Sequence, residues 1–307
     1  MKKRIFMLPL MAGVLVLASC NKTETKSSYD LTVATPTGAP LVAAANTLEK
    51  VEFTKITDTT LIPTYFSANE KDIIFAPVNV GAKLYNAEKS TYKLASVITY
   101  GNLYFASQED AFDEVFDLNN RDLVFFGEGT VNQAVVDYVL EQYEITPKSV
   151  EYLGNTKLTQ TELLSNPNAI VLIAEPALSA AKINKSNIKS LSVQDLFEAK
   201  SGNKKFCQAG CFVSQNAIDN KNEEVKQYLK EVKASCALAS KDANKLASVA
   251  FKLDESTPEA VLAKSIPGCN IGYNKATDIK EMFEFTCNLN LALFGNKLPD
   301  DDFYFNA

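Results

Sequence analysis

Four short stretches place hydroxyls, amides or carboxylates where an apolar run ends. They are Thr35-Pro36-Thr37-Gly38-Ala39-Pro40, Pro77-Val78-Asn79-Val80-Gly81, Gly127-Glu128-Gly129-Thr130 and Glu175-Pro176. A turn of small polar residues that opens a helix leaves unpaired backbone N–H groups and a partial positive charge, a setting that holds polar ligand groups. The first turn lacks the Gly-x-x-x-x-Gly-Lys-Ser/Thr spacing of a nucleotide-phosphate loop, and no Lys or Arg lies in any of the four. The chain has no histidine, which removes Ser-His-Asp triads, Cys-His dyads and most transition-metal sites. Glu128 and Glu175 can still be read as a paired acid and base. Each also suits the first turn of a helix with no further role. The composition therefore points to a protein that binds rather than transforms, with no catalytic residue, metal or cofactor expected.

The chain ends and the charge narrow its setting. Lys2, Lys3 and Arg4 precede an apolar and small-residue run over 5–19, too short to span a bilayer comfortably and flanked like an export signal. The run closes in Leu17-Ala18-Ser19-Cys20, which resembles the bacterial lipobox, whose cysteine is acylated and becomes the first residue of the mature chain. Residues 21–29 are polar and without periodicity, as a tether would be. The expectation is an extracytoplasmic body, lipid-anchored at Cys20 to a bacterial membrane. Removing Lys2, Lys3 and Arg4 takes the net charge from −6 to −9. An acidic body without a basic tract argues against nucleic acid and against an electrostatic membrane patch. Five further cysteines, Cys207, Cys211, Cys236, Cys269 and Cys287, are an odd number in a compartment that permits disulfides. Cys207-x-x-x-Cys211 suits a local bridge, and small buried thiols packing as hydrophobes suit equally well, so the pairing stays open.

The positioning elements read as alternating strands and helices. Strands are expected at 31–34, 52–56, 72–75, 92–99, 123–126, 149–153, 169–173 and 212–214. Helices are expected at 39–49, 82–86, 131–143 and 177–181, and the last hundred residues read as mainly helical at 222–240, 242–250, 256–264 and 275–293. This alternation marks open α/β sheets, in which ligands lie beyond the carboxyl ends of the strands. Two of the four turns fall in each half of 31–180, as two sheets facing one cleft would require.

"TPTGAP", "IIFAPVNVGAKLYN", "YKLASVITYGNLY", "GEGTV" and "AEP" occur in an order that resembles the solute-binding lipoproteins of ABC transporters, of the nitrate/sulfonate/taurine and thiamine-pyrimidine type. The resemblance covers most of 31–215. It implies an α/β protein of the type II periplasmic-binding-protein fold: two lobes, hinge crossings and a solute in the cleft. It implies a signal over 1–20, a tether over 21–29, a first lobe of 30–104 with 216–307, and a second lobe of 105–215. The implied partners are a small solute, a membrane ABC permease and the membrane itself through the lipid, with the receptor a monomer. In such a layout Thr35, Thr37, Gly38 and Ala39 form one wall and Asn79 faces them. Tyr100 and Asn102 lie at a crossing, and Glu128, Thr130 and Glu175 come from the second lobe. Two glutamates on the cleft turns disfavour an anionic solute and favour a neutral, amine-bearing or heteroaromatic one such as a vitamin precursor, with Tyr65, Phe66, Tyr100 and Tyr104 available to stack on a ring. A receptor for a small oxyanion or sulfonate is the alternative, followed by an enzyme on the same fold that works without histidine.

Overall fold

The computed structural model of the protein describes residues 28–306. The expected export signal, the expected acylation site at Cys20 and most of the expected tether lie outside the described residues. The first sheet begins with β1 (Thr32–Pro36), α1 (Ala39–Leu48), β2 (Glu52–Ile56), α2 (Ile62–Ala68), β3 (Ile73–Pro77), α3 (Val78–Asn86) and β4 (Lys93–Tyr100). The chain then crosses to β5 (Leu103–Ser107), β6 (Asp122–Phe126), α4 (Val131–Gln142), β7 (Ser149–Leu153), α5 (Thr156–Ser165), β8 (Ile170–Ala174), α6 (Ala177–Asn184), β9 (Lys189–Ser192) and α7 (Val193–Lys200). It returns as β10 (Cys207–Val213), followed by α8 (Gln215–Asn220), α9 (Asn222–Lys241), α10 (Ala243–Leu253), α11 (Glu259–Ser265), β11 (Ile271–Lys275) and α12 (Lys280–Leu289).

The sheets run β11-β4-β10-β3-β1-β2 and β7-β6-β8-β5-β9. β1 pairs in parallel with β2 and β3, and β6 with β7 and β8. Parallel strands covered on both faces need apolar residues without alternation, which is what Ile73-Ile74-Phe75-Ala76 and Ile170-Val171-Leu172-Ile173 supply, all buried. Inside each sheet one strand runs against both neighbours and the parallel set, β10 against β3 and β4 and β5 against β8 and β9, and at the edge of the first sheet β11 is antiparallel to β4 as well. β10 and β5 are the strands that begin immediately after a crossing.

Three apolar layers hold the sheets. Val33, Ile73 and Phe75 pack under α1, α9 and α10 with Tyr228, Val232 and Leu246. The opposite face of the first sheet carries Ile74, Phe66 and Phe212, and this layer continues through Phe283 and Phe303 into Phe105 and Phe125 of the second lobe. The far face of the second sheet closes with Val171, Ile173, Leu163 and Leu178.

Several expectations need correction. Residues 207–213, expected in the second lobe, form β10 in the interior of the first sheet. Gly210 lets that strand sit close, since a Cβ there would lie 2.5 Å from Leu94 Cδ1. The stretch 77–81 is not a turn. The helix starts at Val78, so Gly81 lies inside it with Phe212 packed where a Cβ would be, 2.3 Å away. The segment 275–293 is not one helix either, because β11 and a short 3-10 turn (Ala276–Ile279) precede α12. α2, β5, α5, β9, α7, α8 and β11 had no expected counterpart. All five described cysteines are free and buried, so they pack as apolar side chains, and burial pushes the Cys207, Cys236 and Cys269 thiols up to about 12.

Candidate functional site

The carboxyl ends of the parallel strands of both sheets face one cleft, and the cleft divides into a wide and a narrow end. The wide end is a cavity of about 700 Å³. Its walls are Thr59, Ile62 and the start of α3 (Pro77 to Val80) from the first lobe, and the turns at 126–132 and 154–156 from the second. Phe206, Cys207 and Gln208 of the returning crossing form its floor. The narrow end, about 160 Å³, lies between Thr37, Gly38 and Ala39, the 254–269 segment, and Pro176 of the second lobe.

Local chemistry sets the wide end. β3 ends at Pro77, whose ring cannot donate a ladder hydrogen bond and whose fixed φ opens α3, so the first N–H groups of α3 have no side-chain cap. β6 ends at Gly127, and both Gly127 and Gly129 take positive φ, 86° and 70°, a conformation that glycine adopts without steric cost. The chain thereby doubles back so that Thr130 caps α4, accepting from Asn132 N at 3.2 Å and donating to the Gly127 carbonyl at 2.5 Å. β7 ends at Gly154, and Asn155 caps α5 by accepting from Lys157 N and Leu158 N. Thr156 Oγ1 then accepts from Ala174 N at 3.0 Å. Three helix N-termini therefore meet at a cavity that no charged side chain lines. The half-buried Asn79 amide makes no hydrogen bond among the described residues, so its donor and acceptor face the cavity without a protein partner.

The crossings behind this cavity are joined by amides. Gln194, buried on α7, accepts from Gly101 N at 3.0 Å and from Phe206 N at 3.2 Å through one oxygen. Gln208 Nε2 donates to Asn102 Oδ1 at 2.8 Å, and Asn102 Nδ2 donates to the Glu175 carbonyl at 3.1 Å. Buried polar groups without such partners would cost about 1–3 kcal/mol each.

The residues expected in the site thus separate. Asn79 and Thr130 line the wide cavity, and Thr37, Gly38 and Ala39 line the narrow one. Thr35 is buried in β1 and donates to Pro36 O, so its hydroxyl is already used. Tyr100 turns into the core, where Asn274 donates to its hydroxyl, and Asn102 serves the crossing. Glu128 projects from an exposed turn and lines neither cavity. Glu175 caps its own helix, accepting from Ser179 N and Oγ at 3.0 and 2.9 Å. Burial raises its carboxyl above the usual range, against the pull of those two hydrogen bonds and of Lys182. Of the aromatics, Phe66 is a core ring that meets Tyr92 and Phe212 edge-on, and Tyr104 donates to Gly268 O at 2.9 Å. Tyr65 packs against the core layer. The rings that line the wide cavity are Phe126 and Phe206. Asn132, Thr156 and Gln208 also line it and were missed. A Gly-Asn-Thr turn after the 149–153 strand was a legible signal for Thr156.

The cavity offers hydrogen-bond donors, acceptors and helix dipoles but no base or acid, and its one thiol, Cys207, is held protonated by burial. This arrangement, two α/β lobes joined by crossings over a neutral cleft, defines the periplasmic-binding-protein fold. A structure described as an ABC transporter from Parabacteroides distasonis superposes with a TM-score of 0.77 at 20% identity, covering 91% of this chain and 99% of that one. The periplasmic aliphatic sulphonate binding protein SsuA of Escherichia coli gives 0.69 at 12% identity over 91% and 92%. The alkanesulfonate-binding protein SsuA of Xanthomonas axonopodis pv. citri, bound to MOPS, gives 0.60 at 12% identity over 89% and 96%. The family described as NMT1/THI5 like matches residues 78–245, more than half of the chain, and the protein belongs to that family. No curated protein matches it significantly.

Proposed function

We propose that the protein is the extracytoplasmic solute receptor of an ABC importer, held at a bacterial membrane by a lipid on Cys20, and that its solute sits in the wide cavity. The solute is a small organic molecule with an acceptor-rich head, uncharged or anionic, and a flat or apolar body. The observation that carries this reading is the lining: three helix N-termini and the free Asn79 amide converge, with no carboxylate and no cation among the lining residues. Helix N-termini attract acceptor groups and anions, and Phe126, Phe206, Val80 and Ile62 supply apolar wall. The glutamates that favoured an amine lie off the cavity, so that preference loses its basis. A sulfonate, which the names of two structural relatives specify, fits this chemistry, as does a heteroaromatic ring with several acceptors. Binding would draw the lobes together and present the closed form to the permease.

The test is a thermal-shift screen of residues 21–307, refolded to strip any carried solute, against alkanesulfonates including MOPS, sulfate, nitrate, thiamine, its pyrimidine and polyamines. A true solute at a hundredfold excess over Kd adds about 2.7 kcal/mol, a rise of roughly 5–10 °C for a chain of this size. A shift with sulfonates or heteroaromatics accompanied by compaction in solution scattering is expected. A shift with polyamines alone would overturn the solute class, and silence with no compaction would overturn the receptor. Incorporation of labelled fatty acid that disappears in Cys20→Ser checks the anchor separately.

A further inference from the structure

α9 presents Lys226, Lys230 and Lys233 along one flank, at i, i+4 and i+7, positions that share a helix face. Together with Tyr273 and Lys275 of β11 they line a surface groove of about 350 Å³. Glu223 lies in the groove as well and pairs with Lys226 at 3.2 Å. Lys230 and Lys233 are exposed and form no ion pair among the described residues. In a chain with a net charge of −6, this is a concentrated patch of the opposite sign.

The chain enters the fold beside the same helix. Tyr29 OH donates to Glu231 Oε1 at 2.7 Å and its ring meets Tyr228 edge-on at 5.6 Å, while Asp30 N donates to Glu224. Residues 224, 228 and 231 form the flank of α9 opposite the lysines, about 10–12 Å away across the helix. From Ser28 back to Cys20 the chain spans at most about 28 Å. An acyl group on Cys20 therefore holds this end of the first lobe within reach of the bilayer surface.

We infer that the lysine flank of α9 docks on anionic phosphodiester headgroups of the membrane that carries the anchor. This rests on the lipid-anchor reading of Cys20. An ammonium acts on a phosphate as a point charge, and a negative leaflet attracts juxtamembrane lysines within a Debye length. Lys275 pairs in register with Ser96 in β4, while the far end of β4 at Tyr100 leads into the crossing. The groove thus lies beside the middle of β4, along the β11 edge of the first sheet, and shares no lining residue with either end of the cleft.

The experiment is co-sedimentation of unacylated residues 21–307, which retain every described element, with vesicles of phosphatidylglycerol and phosphatidylcholine in equal parts or of phosphatidylcholine alone. At low salt we expect about tenfold stronger partition to the anionic vesicles, lost at about 0.5 M salt. K226Q/K230Q/K233Q should weaken it about tenfold, whereas the charge-matched K89Q/K157Q/K252Q, at exposed lysines elsewhere, should change it less than about twofold. Equal partition to both vesicle types, or equal loss in the two triple variants, would overturn the proposal. Because the chain carries no lipid here, failure of the Cys20 reading would show in the fatty-acid labelling and leave this result untouched.

Discussion

The two ends of the cleft are built from the same device, a strand leading into a helix, yet they differ in what spans them. At the narrow end the lobes already touch: Tyr104 OH donates to Gly268 O, and Glu175 packs so closely that a Cβ on Gly268 would lie 2.9 Å from its Oε1. At the wide end no such bridge closes the cavity, and although Thr130, Asn155, Thr156 and Gln208 are hydrogen-bonded within the protein, the Asn79 and Asn132 side-chain amides that line it have no protein partner among the described residues. The narrow end is bridged by contacts between the lobes, and the wide end leaves two side-chain amides for something else. A polar group is available to a ligand only where the fold has not already used it.

The strongest way to break this contrast is to fill each end separately. Asn132→Trp should block the wide cavity and weaken binding of the solute found in the screen at least about a hundredfold, about 2.7 kcal/mol. Ser256→Trp at the rim of the narrow cavity should leave binding within about threefold. Calorimetric titration of both variants reads the difference, and equal losses would erase the distinction between the ends. Next in size, Gln194→Met strips the shared acceptor from the Gly101 and Phe206 N–H groups at the floor of the wide end. It should cost about 2–3 kcal/mol in denaturant unfolding and widen the lobe separation in solution scattering. Gly268→Ala attacks the narrow end instead, because its Cβ would meet Tyr104 OH at 2.7 Å. A loss of about 1–2 kcal/mol with solute affinity retained is the expected outcome.

The smallest effect concerns pH. Burial holds the Glu175 carboxyl above the usual range in the folded chain, so the folded state binds that proton more tightly than the unfolded one. Relative to Glu175→Gln, the wild type should gain stability as pH falls through the range just above the ordinary carboxylate value and lose it as pH rises. Parallel thermal melts of the two chains, with no divergence over that range, would show that Glu175 does not titrate as its burial requires.

Much of the fold is legible in the chain because burial on both faces writes itself as uninterrupted apolar runs. The 72–75 and 169–173 strands meet the buried β3 and β8 to within two residues, the largely exposed edge strands β2 and β7 match 52–56 and 149–153 in full, and the 131–143 helix overshoots α4 by one residue. α5 escapes because its polar face dominates, Thr156-Lys157-Leu158-Thr159-Gln160, and only Thr159 and Leu163 are buried. α7, in Val193-Gln194-Asp195-Leu196-Phe197, escapes likewise, although it supplies the amide that joins both crossings. In the site, the turn residues Thr37, Asn79 and Thr130 were legible as strand-end positions. Gln208 was not, because its place on the cavity floor depends on β10 returning to the first sheet.

The sequence by itself determined the class of the protein: strand–helix alternation, small polar turns at strand ends, no histidine, and an acidic net charge. These are local properties, set by which residues tolerate burial, positive φ or a helix N-terminus. Only the tertiary structure decided which polar groups remain unspent. Glu175 and Thr35 look as eligible as Asn79 in one dimension. The first is consumed by Ser179 and the second by a neighbouring carbonyl, while Asn79 is left facing a cavity, because hydrogen-bond partners are assigned by folding and not by order along the chain.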